Sequence, residues 1–443
     1  MNTDVQSIRH AAQPLTGGSA DYDAILERAK GSRVVLLGEA THGTHEFYAA
    51  RSAITQRLIA EAGFHGVAVE ADWPDAWRVN CFVKGDNADS TAADALSGFK
   101  RFPQWMWRNS DVLDFVGWLR DHNDSIGSVE SKAGFYGLDL YSMNESIKAV
   151  VDYLRQNDPP AMRRFLRRYE CFDHFGGDTR RYGLFTGTGA AKSCEEEVVG
   201  ALAEIRRAKA SYLALDGHAA EEEYFYAEQN ALVVANAENY YRTMLQGDVK
   251  SWNLRDRHMM DTLLALMNHL DRIHEKSRLV VWAHNSHIGN AAATQMGRRG
   301  EFNIGQLCRE RFGDEAFLVG FTTYTGSVTA ASDWDGPVER KLVRPALTHS
   351  YEMLFHHAEI PDFWLDLHEY PAAAQILQHP LLERAIGVIY RPETERASHY
   401  FTASLPEQFD AIFHFDHTRA VEPLERTPHW EAGEVEETYP SGL

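Results

Sequence analysis

The sequence predicts an α/β protein in which a mainly parallel sheet is flanked by helices and a large helical insertion packs over it. Three observations lead there. Short aliphatic runs recur at 33–39 (RVVLLGE), 66–72 (GVAVEAD), 134–140 (GFYGLDL), 278–284 (RLVVWAH), 316–321 (AFLVGF), 386–390 (IGVIY) and 411–415 (AIFHF). They are too short for free-standing helices and too continuous for half-exposed strands, the pattern of strands buried on both faces. Helical patterns separate several of them, and from about 145 to 275 the texture changes to long helical patterns, such as EEEVVGALAEIRRAKASYLAL, with no strand candidate between them.

In chain order, RVVLLGE is the first strand. Residues 46–62 follow as a helix with Phe47, Ile54, Leu58 and Ala62 on one face, stopped by Gly63, so 33–72 reads as strand, helix, strand. Asp72 with Pro74 suggests the cap of a further helix. The stretch 75–120 is rich in aromatics, and RFPQWMW within it has poor helical period; its Trp105 is expected to line an apolar wall for a substrate. The Gly- and Thr-rich segment 174–191 reads as an ordered loop or hinge. At 443 residues the chain is long for one core. Residues 20–75, 125–145 and 255–443 are expected to form a discontinuous α/β core carrying the active site, with 76–124 and 146–254 as a mostly helical insertion.

Forty-four basic against sixty-four acidic residues give a net charge of −20, which disfavours nucleic acid and anionic lipid surfaces as partners. The one basic cluster, Arg163, Arg164, Arg167 and Arg168, has the spacing of a solvated helix face. Cys81, Cys171, Cys194 and Cys308 are far apart and show no CxxC, so neither a zinc knuckle nor a disulfide framework is expected. With no signal-like N-terminus and no long apolar run, the expectation is a soluble protein of the reducing cytoplasm.

Ligands of open parallel sheets bind beyond the carboxyl ends of the strands. Here those ends carry Glu39 and His42, Glu70 and Asp72, Asp139, and His284 and His287. Buried acids and imidazoles are costly to desolvate, and their gathering at several strand ends favours a site over a core. A histidine polarised by a carboxylate can take a proton from water. No GxSxG elbow occurs and no cysteine sits in a comparable cluster, so activated water is the expected nucleophile. A metal centre is the rival reading, since Glu39, His42, Glu70, His284 and His287 are also ligand types for zinc or manganese. HExxH is absent, because Ala49 stands where its second histidine would be, and no cofactor is expected. His45 suits a structural role as well as a functional one.

The motifs GEATHGTHEF, VEADWPDAWRVN, RFPQWMWRN, YGLDLYS, NLRDRHMMDTL, WAHNSHIGN and VIYRPETERASHYF, in this order from about residue 30 to the end, resemble the erythromycin esterase family. The resemblance implies a helical subdomain forming one wall of a deep cleft, and hydrolysis of an ester or macrolactone on a bulky, largely apolar molecule, the chemistry of macrolide resistance. It implies His42 as general base with Glu39 beside it, and Glu70 polarising His42 or positioning water. His284 and His287 would contact the carbonyl oxygen or leaving group, and Arg255, Asp139 and Tyr141 would line the substrate site. The alternatives are a metal-dependent hydrolase at the same cleft and a non-catalytic auxiliary protein in secondary-metabolite or polysaccharide biosynthesis.

Overall fold

The structure, a computed structural model, describes residues 3–213 and 217–433. Its strands are β1 (Gln13–Pro14), β2 (Val34–Leu37), β3 (Gly66–Asp72), β4 (Gly134–Asp139), β5 (Leu279–Trp282), β6 (Ala316–Ala330), β7 (Glu339–Val343), β8 (Asp362–Asp366), β9 (Leu381–Arg384), β10 (Tyr400–Ala403) and β11 (Ala411–Thr418). One sheet runs in the order β1-β8-β11-β6-β2-β5-β3-β4. From β11 to β4 all neighbours are parallel. β1, β7 and β8 add antiparallel pairings, and β9 with β10 forms a separate ribbon.

Alternate residues of each central strand face opposite layers, and both layers are apolar, which is why the runs read as continuous. Val35 and Leu37 of β2 pack with Phe47, Ile54 and Leu58 of the His45–Ala62 helix and with Val79 and Phe115 of the two helices Trp73–Lys84 and Ser110–Asp124. Val34 and Leu36 face Met259, Leu263 and Leu266 of the Asp248–Leu270 helix. The His45–Ala62 helix ends as expected, at Gly63 in a left-handed conformation (φ 68°).

A third apolar core, including Val150, Phe165, Tyr182, Ala201 and Val234, lies among the helices Met143–Asn157, Pro159–Tyr169, Thr179–Gly187, Glu195–Leu213 and Gly217–Thr243. The last of these packs on the Asp248–Leu270 helix, and Leu140 and Tyr141, just past β4, join the same core. Arg163, Arg164 and Arg167 are exposed, on a solvated helix face.

Four expectations are corrected. The run 386–390 is not a strand; Ile386 and Ile389 make single bridges to Thr41 and Ala331, so the segment lies against the tip of β2 rather than extending the sheet. Segment 174–191 is not a plain loop, because Asp178 caps a helix over Thr179–Gly187 by accepting from the Arg181 N–H at 2.9 Å. Cys171 and Cys194 form a disulfide, 23 positions apart but with Cα atoms brought to 5.9 Å by the fold. Disulfides persist in oxidising surroundings, so cysteine usage does not argue for a reducing compartment. Asp72 occupies the N-cap of the Trp73–Lys84 helix without a side-chain cap bond; its carboxylate pairs with Arg101 at 2.7 Å instead. Among the described residues, no helix is long and apolar enough to cross a membrane.

Candidate active site

The tips of β2, β3, β4 and β5 open into one cavity of about 340 Å³. Beyond β2 the chain turns through Gly38 to Glu39, which is fully buried. Glu39 Oε1 lies 2.8 Å from His42 Nδ1, and its Oε2 accepts from Arg51 Nη2 at 2.7 Å. Arg51 is itself enclosed, its guanidinium 4.4 Å from the Tyr48 ring and 5.1 Å from Trp282. With a carboxylate on Nδ1, His42 keeps its proton there and turns Nε2 to the cavity. Burial opposes a charge on His42, yet the nearby Glu70 and its partner Glu39 outweigh this and raise its pKa above the ordinary histidine value.

His284 follows β5 and is polarised the opposite way. The Ser286 backbone N–H donates to its Nδ1 at 3.2 Å, so the neutral ring carries its proton on Nε2, which is buried, with the Ala40 backbone within reach of the ring. Burial, with His42 close by, pushes its pKa down to about 3. The His42 and His284 ring centroids are 4.9 Å apart. Both rings line the same cavity, one with a free lone pair and the other in the N–H form at Nε2.

Beneath them Arg255, from the Asp248–Leu270 helix, ties the remaining groups together. Its Nη2 donates at 2.6 Å to both Glu70 and Asp139, and its Nη1 donates to His287 Nε2 at 3.0 Å. The other nitrogen of His287 donates to Asp256 at 2.9 Å, and its ring stacks on Trp252 with centroids 4.4 Å apart. Glu70 accepts the His284 backbone N–H at 2.9 Å. Burial works against its ionisation, but His287, Arg255 and His42 hold it well below the usual carboxylate range. Among the described residues, no group of three or more His, Cys, Asp or Glu is arranged to hold a metal ion, and the cationic centre among Glu70, Asp139 and His287 is the Arg255 guanidinium.

The structure brings His42, Glu70, Asp139, Tyr141, Arg255, His284 and His287 to the cavity. Three expected roles change. Glu39 lies behind His42 rather than in the cavity and is the carboxylate hydrogen-bonded to its ring, while Glu70 acts on the ring through charge. His287 lines the cavity with both nitrogens engaged. Trp105 does not line it; the turn at Gln104–Met106 sends Trp105 into the apolar layer, and Phe99, Phe102 and Trp107 face the cavity instead. His45 pairs with Asp111 at 2.9 Å and lies outside the cavity.

Sequence reasoning missed Asp256, although it follows Arg255 in NLRD, and Asp75, which lines the rim beside Asp72. Burial raises the Asp72 carboxyl to about 6, and burial with the neighbouring Asp72 raises Asp75 to about 7. Across the mouth, Trp334 lies 5.1 Å from Phe102, with Arg180 of the helical region over its ring at 5.3 Å.

Fold and site together define an α/β protein with a histidine, carboxylate and arginine centre at the carboxyl edge of a parallel sheet, the usual place for a ligand in such folds. The chain belongs to the erythromycin esterase family, whose model matches residues 59–418. Glu39 and His42 precede the matched region, and geometry joins them to Glu70, Arg255 and His284. A Bacillus subtilis (strain 168) protein named "Putative hydrolase YbfO" is 22% identical over 93% of this chain and 90% of its own length. An Escherichia coli protein, erythromycin esterase type II, is 23% identical over 70% of this chain and 73% of its own. The crystal structure of a succinoglycan biosynthesis protein shares the fold, with a TM-score of 0.75 at 22% identity over 95% of this chain and 97% of that one. The family and the names of the two sequence relatives support a hydrolase.

Proposed function

We propose that the protein hydrolyses an ester or lactone, with His42 as the general base that activates water. The observation that carries this is the opposed poise of two neighbouring imidazoles. His42, held at Nδ1 by Glu39, offers Nε2 to the cavity, and 4.9 Å away the neutral His284 ring carries its proton on a buried Nε2 that no side chain engages. In the reaction His42 takes a proton from water as the oxygen attacks the carbonyl carbon, and the His284 N–H donates to the oxygen that becomes negative. The proton on His42 then passes to the leaving alkoxide. Arg255 balances Glu70 and Asp139 beneath, so the imidazolium forms beside a carboxylate whose charge is already shared. The cavity, near the lower end of the range of roughly 300–1,000 Å³ for small-molecule sites, takes the ester-bearing part of the substrate. The wall of Phe99, Phe102 and Trp107 suits a bulky, largely apolar remainder such as a macrolactone.

A panel of esters and macrolactones followed by mass spectrometry tests this. Cleavage by the parent and its loss in His42→Ala, with the fold retained, is the expected result; turnover by the variant at the parent's rate overturns the assignment. A chelator series on the same assay distinguishes the metal-dependent version. A non-catalytic role in polysaccharide production, prompted by the name of the structural neighbour, gives the opposite outcome, product binding with no cleavage.

A further inference from the structure

Between the two catalytic candidates of the WAHNSH segment stands Asn285, fully buried and outside the cavity lining. Its backbone N–H donates to the Glu39 carbonyl at 2.8 Å. Its side chain reaches past β2 to β6, where Nδ2 donates to the Phe321 carbonyl at 2.7 Å and Oδ1 accepts the Phe321 N–H at 3.2 Å. Nδ2 also lies 3.3 Å from Glu383 Oε1 on β9. The side-chain amide therefore pairs with a peptide group as a neighbouring strand would, using a donor and an acceptor together. The crossing needs an open lane over β2, and Gly38 supplies it: a Cβ there would stand 2.1 Å from Asn285 Oδ1.

We propose that Asn285, crossing over Gly38, is a positioning residue: its side chain anchors the β5 tip bearing His284 and His287 to β6, straddling the β2 tip whose Glu39 carbonyl takes its backbone N–H, and so fixes the spacing of His284 from His42. The role in turnover rests on the hydrolase reading; the role in spacing does not. Asn is the residue the site requires. Leu has similar volume but would leave the Phe321 N–H and C=O buried without partners, and Asp has no donor for the carbonyl and would face the carboxyl of Glu383. That carboxyl is already pushed up to about 8 by burial and by Glu352.

The test compares Asn285→Leu and Gly38→Ala with the parent in the full chain. Gly38→Ala keeps every bonding group but displaces Oδ1. Kinetics on a cleaved ester should show kcat down on the order of 100-fold with KM little changed, as a misplacement of about 1 Å produces. A second readout does not depend on turnover. The His284 imidazole faces His42, Glu70, His287 and Arg255, and in the parent its NMR titration should be silent between pH 5 and 8. In the variants, loss of the strand tie should loosen the packing over His284 as well as spread the pair, so that burial and the push of His42 both relax and the ring titrates within that window. A folded variant with parental kcat and a silent His284 overturns the proposal, as does a fall in kcat that merely follows a fall in Tm while His284 stays silent. If neither variant folds, Asn285 serves stability and the proposal falls. No cleavage by the parent sinks the hydrolase reading alone, and the titration still decides the role of Asn285.

Discussion

The sheet carries a histidine pair at each edge, and the two pairs behave differently. At the amino edge His65, just before β3, packs tilted against His274 with ring centroids 3.7 Å apart. Its Nδ1 accepts the Arg278 backbone N–H at 3.0 Å. Burial, then His274, pushes His65 down to about 4, and burial, then Lys84, lowers His274. At the carboxyl edge His42 and His284 are farther apart, yet Glu70 and Glu39 raise one while burial depresses the other. Adjacency of imidazoles is therefore not what makes a site. A carboxylate hydrogen-bonded to one ring, Glu39 on His42, splits the pair into a base and a donor, whereas at the amino edge Asp271 acts on both rings only through charge and burial wins on both.

The largest test of this contrast is removal of each edge's leading ring. His42→Ala should lower kcat/KM by roughly 100- to 10,000-fold, the usual worth of a general base. His65→Ala should leave it at the parent's level in the same assay, and an equal loss from both would break the contrast. Next, His284→Ala should cost roughly 100- to 1,000-fold in kcat, as loss of one oxyanion donor does. A loss confined to KM would make His284 a binding residue only.

A smaller effect sharpens the electrostatic part. The base must be neutral to act and its pKa is raised, so the acid limb of kcat/KM should bend above pH 6.5. Glu39→Gln removes a charge that raises it, so the limb should move to lower pH; a limb that stays in place would rule out Glu39 as the group that tunes His42. The smallest concerns stability at the amino edge. Folded His65 stays neutral to about pH 4, whereas the unfolded ring gains its proton near 6.5, so folding stability falls as pH drops across that window. Urea melts at pH 7 and 4.5 should show a smaller fall for His65→Gln than for the parent.

The central strands were legible because burial on both faces leaves an unbroken aliphatic run, as in Val34–Leu37, and the polar residues closing those runs marked the cavity. Where the polar groups point was not legible. Nothing in the spacing of Glu39 and Glu70 tells which one reaches His42, since that depends on the turn through Gly38 and on Arg51 holding Glu39 from behind. Trp105 and Trp107 stand two positions apart in an irregular turn, where no period assigns a face. IGVIY has the composition of a strand, but its neighbours on both sides offer single bridges only. Cys171 and Cys194 meet because separate helices fold back on each other, a contact their spacing does not announce. β8 was overlooked as a short DFWLD run at the antiparallel side of the sheet.

Arg255 gives the cleft a fixed positive charge carried on a helix that also forms the seam with the helical region. A tethered guanidinium cannot diffuse away, but it moves with its scaffold. Sliding the Asp248–Leu270 helix along its axis by a single residue's rise, about 1.5 Å, would draw the charge off Glu70 and Asp139 together. The charge that holds down the basicity of His42 is therefore placed by the packing of that one helix.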